Sequence, residues 1–190
     1  MNPLPKFERR DFLGGALAAF PLALLGQSAN APATPAVAFV PAGEDRLGEH
    51  HTIGVSSTSF KVLTRESAGA LFLFEHRNNT GKKGGPPRHL HHNEDEWFYV
   101  LEGQYIAEIG STRVELKPGD SILGPREVPH AWAFVGDTPG RLLIAFAPAN
   151  KMEAFFRENE RRRKGNEYVN DAEIYRAHGM ELLGPPLSIK

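Results

Sequence analysis

The sequence contains no cysteine. That absence excludes disulfides, thiolate metal sites, iron-sulfur clusters and a cysteine nucleophile together, so any metal held here must sit on nitrogen and oxygen donors. A positive charge excess is missing as well. With 22 basic and 23 acidic residues the net charge is -1, which leaves no electrostatic footprint for nucleic acid or anionic lipid. The one basic run, Arg161 to Lys164, follows Glu153, Glu158 and Glu160 and reads as a solvated helix face. Nor is there a long hydrophobic run: the stretch from Phe12 to Leu25 is broken by Pro21 and falls short of the ~20 residues that span a bilayer, so no stable membrane anchor is expected. No repeat period and no low-complexity segment follows it. What remains is an ordinary soluble composition, 190 residues and 41% hydrophobic, sized for one domain.

Residues 9–26 read RRDFLGGALAAFPLALLG, and no charged residue occurs from Phe12 to Gly43. A basic head, a short apolar middle and a small-residue tail have the layout of a secretory signal. The pattern RRDFLG resembles a twin-arginine export signal, with Glu8 where Ser or Thr is usual and Gly14 where Lys is common. That resemblance implies the twin-arginine machinery as partner, a periplasmic or extracellular location, and export of the chain already folded. Residues 1–38 are accordingly read as signal peptide and linker. Small residues at the right spacing leave three cleavage points open, after Ala31, Ala33 or Ala38.

From residue 50 to about 148 the chain is a succession of short strands. FKVLTRE, AGALFLFEHR, EWFYVLEGQYIAEIG, TRVELK, DSILG, HAWAFVG and RLLIAFAPA are rich in β-branched and aromatic residues, and Gly, Pro, Asn and Asp separate them. Turn signals at this density belong to a sandwich or barrel. After Pro148 the pattern changes: Met152, Phe155 and Phe156 fall at i, i+3 and i+4, and Gly165 closes the run, which predicts an amphipathic helix whose stripe packs as core. A second short helix is expected near Asp171 to His178. The fold class is all-β, with a barrel over residues 39–150 and a helical extension over 151–190.

The stretch GGPPRHLHHNEDEWFYVLEG, residues 84–103, holds three of the eight histidines and three successive carboxylates. In a strand, side chains alternate faces, so His89 and His91 point the same way with Cα atoms roughly 6.6 Å apart, a spacing at which two imidazoles converge on one metal. His92 then points away. Glu96 shares its parity with Phe98 and Val100, an inward face, while Glu94 and Asp95 remain competing carboxylates. His130 opens a strand whose same-face positions are Trp132 and Phe134; taken alone, such a histidine is more often hydrogen-bonded core than ligand.

Taken together, the two segments resemble the two motifs of the cupin superfamily. The first runs Gly84-Gly85, His89-Leu90-His91, four residues, Glu96, six residues, Gly103. The second runs Gly119, five residues, Pro125-Arg126-Glu127, two residues, His130, three residues, Phe134, with Glu127 standing for the family's glycine and Phe134 for its asparagine. The first departure is expected to alter a turn, and the second to remove a polar group from near the site.

The resemblance implies a single-domain cupin, a double-stranded β-helix or jelly-roll-like barrel, with His89, His91, Glu96 and His130 as ligands of one divalent transition metal: Fe, Mn, Ni, Co, Cu or Zn. Three nitrogens and one oxygen leave a position for water or substrate. Within the superfamily the chain most resembles the quercetin 2,3-dioxygenase-like bacterial cupins. This implies a dioxygenase acting with dioxygen on a flavonol-like or other enolisable aromatic, Glu96 being both ligand and proton acceptor. Phe72, Phe74, Phe98, Trp132 and Phe134 are the expected pocket walls, core packing being their alternative role. The family expectation for assembly is a homodimer. A non-catalytic exported binding module and a redox-neutral isomerase stay open beside the oxygenase.

Overall fold

The computed structural model describes residues 39–53, 56–78, 83–165 and 171–189, all within the unit Val37–Lys190. The export signal expected over residues 9–26 lies outside them. Period-two alternation builds the strands in chain order: β1 His51–Ile53, β2 Ser56–Val62, β3 Phe72–Asn78, β4 Pro87–His91, β5 Asp95–Glu102, β6 Tyr105–Ile109, β7 Thr112–Leu116, β8 Ser121–Gly124, β9 His130–Phe134, β10 Gly140–Ala147 and β11 Met180–Pro186. They form two antiparallel sheets, ordered β1-β2-β3-β10-β5-β8 and β11-β4-β9-β6-β7. The fold is all-β with C-terminal helices. Among the described residues no helix is long and apolar enough to cross a membrane.

Apolar side chains on the two inner faces meet between the sheets. Phe60, Phe72, Phe74, Phe98, Val100, Leu142, Ile144 and Phe146 come from the first, and Tyr105, Ala107, Leu116, Trp132, Phe134 and Met180 from the second. Burying each large side chain is worth about 1.5–3 kcal/mol. Two helices, α1 Met152–Lys164 and α2 Asp171–Ala177, follow the barrel as expected. The α1 stripe packs inward: the ring of Phe156 lies 4.6 Å from that of Phe74, 5.9 Å from Phe146 and 6.0 Å from Phe72.

Two local differences from the sequence reading have clear causes. The strand expected across FKVLTRE ends at Val62, and Thr64–Ser67 turns as a single 3-10 turn. Carboxylates compete for the backbone there: Glu66 accepts from the Leu63 N–H at 2.9 Å, and Glu153 of α1 accepts from the Thr64 N–H at 2.9 Å. At the other end of the chain, Met180–Pro186 is a strand, pairing with β4 through Met180 opposite His91 and Leu182 opposite His89.

Phe134 stands four residues along β9 from His130, roughly 13 Å away, rather than beside it. Its ring fills a slot made of glycines, where a Cβ on Gly140 would come within 2.5 Å of its Cε2, one on Gly103 within 3.0 Å of it, and one on Gly136 within 3.1 Å of Cζ. We expect Gly140→Ala to lower the unfolding free energy by about 2 kcal/mol in denaturant titrations, the usual penalty of overpacking. Phe134→Leu in the same chain should recover part of that loss; strict additivity of the two changes would contradict the slot.

Candidate metal centre

His89 and His91 sit on the inward face of β4, and His130 begins β9. The strands pair at His89 opposite His130, which puts those rings 4.7 Å apart, centroid to centroid. Glu96 arrives from the facing sheet, where β5 lies between β10 and β8. It stands opposite Gly124, and a Cβ on Gly124 would come within 3.2 Å of the His130 ring. A larger residue at 124 would push the imidazole off the carboxylate.

The four ligand-type atoms, one per residue, all lie within 4.8 Å of one another, and all four residues are buried. Glu96 Oε2 is 2.9 Å from His130 Nε2, 3.2 Å from His91 Nε2 and 3.8 Å from His89 Nε2. Each imidazole is oriented by its other nitrogen. His89 Nδ1 lies 2.7 Å from the Pro87 carbonyl, His130 Nδ1 2.9 Å from the Val128 carbonyl, and His91 Nδ1 2.7 Å from the Glu94 carboxylate. A carbonyl oxygen only accepts, so Nδ1 of His89 and His130 must carry the proton. In a neutral ring that leaves the Nε2 lone pair facing the centre.

Burial lowers the pKa of His89, against the opposing pull of Glu96, so its Nε2 presents a lone pair toward a carboxylate. Two acceptors that face each other in a buried space call for a cation between them. Burial alone would also raise Glu96, but the imidazoles of His130, His89 and His91 override it and hold the carboxyl well below its ordinary range. For His91 burial pulls down and the hydrogen bonds to Glu94 and Glu96 win, pushing it up to about 9. A divalent ion would take over the charge balance of this cluster. Three nitrogens and one oxygen, each fixed from behind, fit a transition metal of the group Fe, Mn, Ni, Co, Cu or Zn.

The carboxylates weighed against Glu96 part company. Glu94 is wholly buried and joins the site indirectly: besides orienting His91 it accepts from Asn150 Nδ2 at 3.0 Å. Asp95 faces outward and clasps Arg126 at 2.9 and 3.1 Å. His92 also faces outward, 3.0 Å from Glu127. Glu127 keeps the turn that glycine would make, with φ at 63°. Its N–H donates to the His91 carbonyl at 2.7 Å, so the substitution leaves the loop in place where an altered turn was expected.

Beside the four residues opens a cavity of about 400 Å³. Of the five aromatics expected to wall it, Phe74 and Trp132 do so. Phe72, Phe98 and Phe134 are not among the lining residues; they are at most 2% exposed and belong to the packed core. The missing wall comes from the C-terminal helices. Phe155, Phe156 and Tyr175 line the cavity with Phe146, and the Tyr175 ring stands 5.4 Å from His89. The α1 stripe read as core therefore both packs and lines the cavity.

Residues 79–146 match the family described as Cupin domain. That segment is similar to a cupin domain. All four metal-type residues fall inside that matched segment. An uncharacterized protein of Methanocaldococcus jannaschii is 32% identical over 60 residues, covering 32% of this chain and 48% of the relative, so the chain spans about half the length of the curated relative it matches. Solved structures similar to this chain include KdgF from Halomonas sp., 20% identical over 53% of this chain and 86% of that one, with a TM-score of 0.45. An RmlC-like cupin from Shewanella frigidimarina is 22% identical over 55% and 87%, also with a TM-score of 0.45. Likeness at this level says nothing of substrate.

Because Glu94 sets the His91 ring, Glu94→Gln should weaken metal binding by about 10- to 100-fold with all four ligand residues intact. Competition with a chromophoric chelator measures this. An unchanged affinity would remove Glu94 from the site.

Proposed function

We propose that the protein is a metal-dependent dioxygenase acting on a flavonol-like or other enolisable aromatic small molecule. The observation that carries the reading is the convergence of three Nε2 atoms and Glu96 Oε2 beside an aromatic-walled cavity. His89, His91, His130 and Glu96 would hold the ion, which when bound would supply a Lewis acid for the enol oxygen and, for the redox-active members of that group, redox capacity toward dioxygen.

The chain's own residues do the rest. Phe74, Trp132, Phe146 and Phe156 offer flat apolar surface to a ring system and keep water from the reacting oxygen. Glu96, held ionised below the ordinary carboxylate range, accepts the proton of the substrate's enol hydroxyl, leaving an electron-rich enolate against the centre. Glu94 and the Val128 and Pro87 carbonyls keep the imidazoles from turning while that proton moves. A cavity of about 400 Å³ is in the range of sites that enclose a small organic ligand.

Oxygen consumption should be followed with metal-replete full-length chain and a panel of flavonols and enolisable diphenols. Uptake tied to substrate loss is expected, with Glu96→Gln slowing it about 10²- to 10⁴-fold, the usual worth of a positioned general base. If a stoichiometric redox metal is present and no member of the panel drives uptake, the dioxygenase reading is lost. Flavonol binding without uptake would then make the cavity a binding site. We further propose that the chain is exported by the twin-arginine route, from the RRDFLG pattern. Arg9→Lys with Arg10→Lys should retain it in the cytoplasm on cell fractionation, and unchanged export would dismiss that route.

A further inference from the structure

The inward face of β2 and β3 changes character along its length. At one end it carries Phe60, Phe72 and Phe74, and at the other Ser56, Thr58, His76 and Asn78, all buried. Thr58 and His76 stand opposite each other in the β2–β3 pair. A polar row inside an otherwise aromatic barrel needs partners. Among the described residues His76 Nδ1 and Thr58 Oγ1 have none, although both are enclosed. His76, at 8% exposed, nevertheless lines the cavity, as do Ser56 and Asn78.

The sheet register separates this row from the metal-type residues. Glu96 is level with Phe146 and Phe72, whereas His76 is level with Leu142 and Val100. Four residues along the strands are roughly 13 Å. Between the two levels the cavity wall is apolar: Phe74, Ile144 and Trp132. Trp132 packs edge-on to the His76 ring at 5.0 Å, which fixes the imidazole in place.

Burial lowers His76 to about 4, so at neutral pH its ring is uncharged, with one donor and one acceptor nitrogen. Lys83, a cation that also lines the cavity, is turned to Asp137 at 3.0 Å. An uncharged group that both donates and accepts, a hydroxyl, is the complement of such a ring.

We propose that Ser56, His76 and Asn78 form a polar subsite for an uncharged hydroxyl at the far end of the substrate. The cavity then selects an elongated, flat molecule that has metal-binding oxygens at one end and a phenolic hydroxyl at the other. This deepens the reading of the metal centre and rests on it.

The test uses full-length chain loaded with Zn(II), which has no redox chemistry and so allows binding without turnover. Fluorescence titrations compare 3-hydroxyflavone with 3,7,4′-trihydroxyflavone. Wild type should bind the second about tenfold more tightly, as one satisfied hydrogen bond allows. His76→Phe should bring the two within about twofold while binding 3-hydroxyflavone as before, and His76→Gln, which keeps a donor and an acceptor, should retain a preference of about threefold. No binding, no preference in wild type, or a full preference surviving in His76→Phe overturns the subsite. Failure of the metal reading is a separate result: 3-hydroxyflavone would bind no more tightly with Zn(II) than after chelation, the hydroxyl preference being scored in the metal-free chain as well.

Discussion

One carboxylate from the first sheet must meet three imidazoles from the second in the barrel interior, and the rest of the barrel is arranged around that meeting. Ionised groups are costly to bury unless their partners sit at bonding distance. Glu96 reaches the cluster from β5 while His89, His91 and His130 reach it from β4 and β9, so the separation of the sheets is pinned at this point. Gly124 is small where the His130 ring passes. The loops on either side are clipped together by Arg126 on Asp95 and by the Glu127 N–H on the His91 carbonyl. Each of these features would be arbitrary in a barrel that only had to bury hydrocarbon.

Much of this was legible in the sequence because strands have a fixed period. Alternation was enough to send His89 and His91 inward and His92 outward, and to place Glu96 on the face of Phe98 and Val100. It could not rank Glu94, which belongs to the bend between β4 and β5, where no period holds. The carboxylate three residues after His91 was the available signal. Alternation also cannot report depth. Phe72, Phe98 and Phe134 face inward as expected, yet only Phe74 and Trp132 of the five reach the cavity, because whether an inward ring touches space or another ring depends on what crosses above it. Phe156 and Tyr175 come from helices some sixty to eighty residues beyond β4, and nothing local to the histidine motif announces them. His76 was hidden for a similar reason: it falls in the polar run Glu75 to Asn78, which reads as solvated surface until its burial and the opposite Thr58 are seen.

The two departures from the family pattern illustrate what a motif constrains. Glu127 shows that the turn requires a left-handed backbone rather than glycine as such, since the carboxylate-bearing residue adopts φ 63° at a cost of about 1–2 kcal/mol. What the turn protects is the support of the His91 strand, and that hydrogen bond is intact. Phe134 shows a position whose polarity is free to change because it is far from the cluster, provided that Gly103, Gly136 and Gly140 leave room for a ring. Gly103, the last residue of the first motif, therefore answers to a side chain in the second.

Strand β11 has a consequence for how the molecule is made. It hydrogen-bonds along β4, opposite both His89 and His91, yet it lies about ninety residues downstream of them. A nascent chain that has emerged only as far as α1 carries both histidines on an unpaired strand edge, a template for pairing with the wrong partner. The histidine pair is bordered on both sides only after Met180–Pro186 has been synthesised and has docked. The timing of that step is set by a segment that supplies none of the four candidate donor atoms.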